Sequence, residues 1–253
     1  MKRYFFCFAL ALGIMGAFAF SHIRNADAVT NATSPVVLEL FTSQSCSSCP
    51  AADKLLNELA AQNNEIIALS CNVTYWNHLA WKDTLSKEFC TSRQRQYIQT
   101  LTSRGPYTPQ IVINGRHEMV GSRKNEVMRT IKEESENPIT QRIPLNLEGD
   151  TLTAKLPKVQ KDHYILLLVG HGDDHVQSIP NGENRGRTVS YTNPIEEITV
   201  MGTWDGQAKT LSHNVANFGH KGLVVLAQQE TRTAGRIQIP QQRAAARLGC
   251  CAP

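Results

Sequence analysis

The spacing of hydrophobic and polar positions changes about halfway along the chain. Val36-Val37-Leu38-Glu39-Leu40-Phe41 is a short, mostly apolar run, the pattern of a buried strand. A loop rich in Ser and Cys follows. Ala51, Leu55, Leu56, Leu59 and Ala60 then recur at helical spacing, with Asp53, Lys54, Asn57 and Glu58 on the other side. Pro50 fits only the first turn of that helix, where a missing N–H costs little. Ile66-Ile67-Ala68-Leu69-Ser70 reads as a second buried strand, and this alternation predicts a parallel α/β unit. Residues 71–107 read as an insertion with its own helix, in which Phe89, Tyr97, Ile98 and Leu101 keep the spacing until Gly105-Pro106. Gln110-Ile111-Val112-Ile113, an Asn114-Gly115 turn and His117-Glu118-Met119-Val120 predict a β-hairpin. A helix from about Arg123 to Glu134 follows, and Asn137-Pro138 ends it.

From Thr140 the period becomes two. Ile143, Leu145 and Leu147 alternate with polar residues, Gly149-Asp150 turns the chain, and Leu152, Ala154 and Leu156 alternate again. Tyr164 to Val169 and Leu223 to Ala227 are apolar strands, with Gly- and Asn-rich turns between them. The expected fold class is therefore α+β: an α/β part over residues 35–138, with its insertion at about 71–107, and an antiparallel β-sandwich over 140–240. Residues 241–253 read as a C-terminal tail.

Composition excludes some function classes. Of 253 residues, 41% are hydrophobic and 19% charged, which is globular rather than disordered. The net charge of +4 is small and scattered, so no nucleic-acid partner is expected. Lys2 and Arg3, the uncharged stretch Tyr4 to Phe20, and Ala26-Asp27-Ala28 have the layout of a signal peptide over residues 1–28. The competing reading is an uncleaved anchor, since about 17 apolar residues is the lower limit for a span. Cleavage implies export to the periplasm or beyond, with no membrane partner afterwards.

Without Cys7 six cysteines remain: Cys46, Cys49, Cys71, Cys90, Cys250 and Cys251. An even number in an exported chain points to an oxidising compartment. Cys46-Ser47-Ser48-Cys49 lies between a buried strand and an amphipathic helix. Two intervening residues at a helix start bring the sulfurs close enough for a reversible disulfide, and the helix N-terminus favours a thiolate. Cys46 is expected to be the exposed attacking thiolate and Cys49 the resolving one. If the helix begins only at Pro50, Cys46 feels less of that field. The bland readings are a structural disulfide, two buried reduced thiols, or half of a zinc site, which would need two further ligands.

Tyr107-Thr108-Pro109 leads into the hairpin strand, and here the chain resembles the thioredoxin superfamily. By that resemblance Pro109 matches the cis-proline that faces the CxxC, and Thr108 is the residue whose backbone docks an extended substrate. The alternative is an ordinary trans proline at a strand entry. The run Leu38 to Pro50 is similar to the signature of an exported thioredoxin-like family catalogued as domain of unknown function twelve twenty-three. Tyr75-Trp76, Trp81-Lys82-Asp83, Arg93-Gln94, Tyr107 to Gln110, Gly182-Glu183-Asn184-Arg185-Gly186-Arg187, Gly202, Trp204 and Gly206 also resemble it. The resemblance covers nearly the whole mature chain and implies a thioredoxin-like domain followed by a β-sandwich. It brings no established reaction. This chain departs from the pattern at Cys71, Asn72 and Thr74.

Weaker candidates complete the picture. Tyr75, Trp76 and Trp81 line a groove beside the cysteines or belong to the core. His171 and His175 have a metal-like look but read better as a polar turn. Glu183, Arg185 and Arg187 bind an acidic partner or solvate a loop. Cys71 and Cys90 are expected to close a 20-residue loop as a structural disulfide, the alternative being two free buried thiols. Cys250 and Cys251 are either a relay pair for the inner cysteines or an end without function. The expected function is a thiol–disulfide oxidoreductase acting on protein or small-molecule disulfides or thiols, with no cofactor and no metal. The competing class is a copper- or partner-binding protein using the same cysteines. Ser47-Ser48 does not indicate the direction of exchange or the redox partner.

Overall fold

The first half of the chain alternates strands and helices: β1 (Val36–Thr42), α1 (Pro50–Gln62), β2 (Ile66–Asn72), α2 (Glu88–Leu101), β3 (Gln110–Ile113), β4 (His117–Val120) and α3 (Lys124–Glu136). The computed structural model describes residues 35–63, 65–101, 105–136, 141–219, 222–229, 231–233, 236–238 and 242–249. The predicted leader 1–28 lies outside them.

Four strands form a mixed sheet in the order β2-β1-β3-β4. β1 and β2 are parallel, with Val36 opposite Ile66 and Thr42 opposite Asn72, whereas β3 runs antiparallel to β1 and β4. Both faces of β1 are covered, which explains its nearly continuous apolar sequence. Val36, Leu38 and Leu40 pack with Leu55, Leu56 and Leu59 of α1 and Val127 and Ile131 of α3. Val37 and Phe41 face the other way, towards Tyr97 of α2.

The remaining described elements are strands: β5 (Gln141–Arg142), β6 (Leu145–Glu148), β7 (Thr151–Leu156), β8 (Tyr164–His171), β9 (His175–Ser178), β10 (Thr188–Tyr191), β11 (Ile195–Trp204), β12 (Lys209–Asn214), β13 (Gly222–Gln229), β14 (Thr231–Thr233), β15 (Arg236–Gln238) and β16 (Gln242–Gly249). A five-stranded sheet, β11-β8-β13-β16-β5, packs on a three-stranded sheet, β12-β7-β6. The pairs are antiparallel except β16 with β5. The side chains of β8 alternate between two cores, which accounts for its apolar run. Tyr164, Leu166 and Leu168 meet Leu152, Leu156 and Trp204 between the two sheets of this half. Leu167 and Val169 join the core that contains Val37, Phe41 and Tyr97. The five-stranded sheet thus packs on the mixed sheet and α2 through one shared core, and the described residues form one compact unit.

One boundary moves. Residues 242–249, read from sequence as part of a tail, form β16 and pair along β13 from Gly249 opposite Gly222 to Gln242 opposite Gln228. Cys250 and Cys251 lie outside the described residues. No helix among the described residues is long and apolar enough to cross a membrane.

Candidate functional site

The loop after β1 is wound before α1 begins. Cys46 N–H donates to the Ser43 carbonyl and Cys49 N–H to the Cys46 carbonyl, each at 3.2 Å, giving two successive turns. Pro50 is the first residue of α1, and Cys49 is its N-cap. The Cys49 carbonyl accepts from Ala52 N–H at 2.8 Å and Asp53 N–H at 3.1 Å. Cys46 and Cys49 are joined as a disulfide, with their Cα atoms 5.4 Å apart. Cys46 therefore stands before the N-cap rather than in the first turn, where the field of the helix is strongest. The Ser48 hydroxyl lies 3.4 Å from its sulfur.

One expectation is corrected. Cys46 is not exposed: it retains 3% of its surface and Cys49 none, whereas Ser47 and Ser48 are exposed. The crest of the loop faces solvent and the sulfurs lie under it.

The segment between β2 and α2 holds this loop from one side. The Asp83 carboxylate accepts from Gln44 N–H at 2.8 Å, the Asn72 amide at 2.9 Å and Leu85 N–H at 2.8 Å. Burial pushes the Asp83 carboxyl above its usual range, while the hydrogen bonds from Asn72, Gln44 and Leu85 oppose the shift. Trp81 donates its indole N–H to the Gln44 side chain at 2.9 Å, and its carbonyl accepts from the Ser45 hydroxyl. Its ring packs against Ile179, Val189 and Tyr191. Trp81 thus braces the cysteine loop. Beneath the loop Asp53 is buried on α1. Burial pushes its carboxyl well above the ordinary value; the Thr42 hydroxyl opposes that shift and nearby Asp83 adds to it.

The Thr108–Pro109 peptide is cis. Gln110 pairs with Phe41, so Pro109 comes one residue beyond that pair, at the sheet edge where the cysteine loop leaves β1. The Pro109 carbonyl accepts from Gly121 N–H at 2.9 Å. Gln94 of α2 donates to the Tyr107 carbonyl at 2.7 Å and to the Gln110 side chain at 2.9 Å. The Trp76 indole donates to the Thr108 hydroxyl at 2.9 Å. Tyr75 and Trp76 are half-buried and lean on the shared core. Burial pushes the Tyr75 hydroxyl up to about 12.

A loop from the second half also holds the cysteine loop. The Asn184 side-chain amide donates to the main-chain carbonyls of Gln44 at 2.9 Å and Cys46 at 2.8 Å. Glu183 accepts from Ser47 N–H at 3.3 Å, and Arg187 donates to the Ser47 carbonyl at 3.4 Å. Arg185 is exposed. The sequence marks this segment as a charged loop within the family resemblance, but it does not show what Asn184 holds. Nor does it show the bracing role of Gln44 or the burial of Asp53.

Other candidates lie apart from this centre. Cys71, at the end of β2, is bonded to Cys90 in α2 with a Cα separation of 5.4 Å, and both are fully buried. His171 is buried at the end of β8, with Nδ1 2.8 Å from the Gly172 carbonyl, while half-buried His175 begins β9 and lies 3.4 Å from Gln177. Among the described residues no group of three or more His, Cys, Asp or Glu side chains is arranged to hold a metal ion. Thr74 donates to Glu88 at 2.6 Å, which ties the segment to the start of α2.

Comparison with known proteins bears on this arrangement. Residues 37–228 match the family model described as "Protein of unknown function (DUF1223)". The crystal structure of protein AGR_C_4864 from Agrobacterium tumefaciens is similar at 25% identity and a TM-score of 0.73, covering 84% of this chain and 93% of that one. A structure described as HBP35 of Porphyromonas gingivalis is similar in fold, at 15% identity and a TM-score of 0.54, covering 86% of this chain and 75% of that one. Comparison with curated proteins gave no match.

Proposed function

The chain belongs to the DUF1223 family of proteins of unknown function, and we propose that it is an exported, thioredoxin-like thiol–disulfide oxidoreductase working through Cys46 and Cys49. The observation that carries this reading is the Cys46–Cys49 disulfide at the N-terminus of α1, on the loop that leaves β1 where β3 begins. A CxxC in that setting supports exchange because the helix start favours Cys49, its N-cap residue, as a leaving thiolate. The thioredoxin-like part is residues 35–138, and the leader at 1–28 directs the chain to an oxidising compartment.

Exchange from the oxidised form balances without a cofactor. A substrate thiolate attacks Cys46 Sγ, the Cys46–Cys49 bond breaks, and Cys49 leaves as a thiolate and takes up a proton. A second substrate thiolate then attacks the substrate sulfur of the mixed disulfide and releases Cys46. Two thiols become one disulfide, and the two electrons and two protons remain on the cysteine pair. The reverse sequence reduces a substrate disulfide. Thr108, two residues before β3, is the docking point we assign to an extended substrate.

Cys49→Ser removes the resolving sulfur. Incubated with a disulfide, this variant should accumulate mixed disulfides through Cys46. A Cys46 that forms no adduct with any disulfide tested, while binding copper tightly through Cys46 and Cys49 in the wild type, would replace the reading with that of a metal-binding protein.

A further inference from the structure

We propose that the loop at residues 182–187 is a built-in cover over Cys46 that restricts exchange to low-molecular-weight disulfides and thiols and excludes sulfurs on folded protein surfaces. This rests on the reading of Cys46 and Cys49 as an exchanging pair. The starting observation is the mismatch between the crest of the cysteine loop and its sulfurs. Ser47 and Ser48 are exposed, whereas Cys46 keeps only 3% of its surface. An attacking sulfur must approach Cys46 Sγ opposite to the bond that breaks, so access to this one atom limits what can react.

The cover has the construction of a fixed element. Asn184, only 1% exposed, holds the carbonyls of Gln44 and Cys46 with one amide group. Glu183 and Arg187 clasp Ser47 from its N–H and its carbonyl. At its base the loop is tied by Ile179 N–H to the Arg187 carbonyl at 2.9 Å and by Gly186 N–H to the Ile179 carbonyl at 2.8 Å. Gly182 sits against Trp81 with φ of +77°, and a Cβ there would come within 3.2 Å of the Trp81 Cβ. The loop therefore rests on the same Trp81 that braces the cysteine loop. A folded protein cannot bring a surface disulfide under such a rim, but a small disulfide can enter beside the exposed serines. The step itself is unchanged: a small thiolate bonds to Cys46 Sγ and Cys49 leaves as the thiolate, and a second small thiolate then bonds to the first and releases Cys46, so that the two electrons rest on the pair.

The test separates size selection from exchange. In Cys49→Ser protein, modification of the Cys46 peptide is followed by mass spectrometry with N-ethylmaleimide and with a maleimide carried on a long polyethylene glycol chain. The ratio of the two rates is compared with the ratio for an unstructured cysteine peptide. The cover predicts discrimination roughly tenfold or more beyond the peptide, and loss of most of it in Asn184→Ala. Should Asn184→Ala fail to fold, Glu183→Ala with Arg187→Ala removes both hydrogen bonds to Ser47 from the exposed side and should lower the ratio in the same direction. A wild-type ratio equal to that of the peptide, or a high ratio that loop variants leave untouched, overturns the cover. Turnover of a glutathione-type disulfide against that of a folded protein disulfide completes the comparison. Equal rates sink the cover and leave the exchange reading standing. Size-selective labelling without exchange of any disulfide sinks the exchange reading instead.

Discussion

Glu39 and Arg93 meet as a two-pronged ion pair inside the shared core, with Nε to Oε2 at 2.5 Å and Nη2 to Oε1 at 3.0 Å. Their side chains are 1% and 5% exposed. The Tyr97 hydroxyl donates to Glu39 at 2.6 Å and accepts from Arg93 at 2.9 Å and Gln228 at 3.0 Å. Arg93 also donates to the Gln228 side chain at 3.1 Å. One satisfied network thus joins β1, α2 and β13, and with them the mixed sheet that carries the cysteines and the five-stranded sheet behind it. Removing one partner leaves a buried charge without compensation. Glu39→Ala should lower the unfolding free energy by about 3–5 kcal/mol. Paired apolar replacement of Glu39 and Arg93 should cost much less than the two single changes added together. Urea unfolding of the double-mutant cycle checks both.

Asp53 gives a pH dependence of definite sign. Its carboxyl is held well above the ordinary value, chiefly by burial, so the folded state binds its proton more tightly than the unfolded state does. Stability from this group is fully present below the unfolded pKa of about 4. It is lost as pH rises from there through the raised folded value. Asp53→Asn removes the titration. The stability of this variant relative to wild type should therefore increase with pH across that window and level off above it. Parallel urea midpoints of the two proteins at all pH values would refute the assignment.

The Cys71–Cys90 disulfide closes a loop that contains Tyr75, Trp76, Trp81 and Asp83, the residues that brace the cysteine loop and Thr108. Replacing both cysteines by alanine should cost about 3 kcal/mol in the chain-entropy model. It should also leave the Cys46–Cys49 pair able to form. If thermal unfolding is unchanged in Cys71→Ala with Cys90→Ala, this bond contributes nothing to the bracing.

Much of the first half is legible from the chain because β1, α1 and the β3–β4 hairpin bury long apolar stripes of regular period. The signal weakens where burial depends on distant partners. Glu39 is a charge inside a buried run, and only the return of α2 and β13 provides Arg93, Tyr97 and Gln228 to receive it. β12, Lys209–Asn214, has no buried residue and so shows no apolar pattern. β16 carries Ala and Arg where a strand reader looks for Val and Ile. At the site itself the CxxC stands out by spacing, and Pro109 by the resemblance to the thioredoxin superfamily. The burial of Cys46 does not, nor does its partner, since the Asn184 amide that donates to its carbonyl is 138 positions away. Pro50 confines the start of α1 to its neighbourhood, and the structure places it at Pro50 itself.

The central claim is that Cys46 and Cys49 exchange electrons rather than merely cross-link a loop, and the reduction potential of this pair tests it most directly. The protein is equilibrated in graded thiol–disulfide buffers, and the pair is read by alkylation of the Cys46–Cys49 peptide from both the oxidised and the reduced side. The account predicts a reversible two-electron transition between about −270 and −120 mV, with coincident curves in the two directions. A pair that stays closed until below about −300 mV, as structural disulfides do, would contradict it.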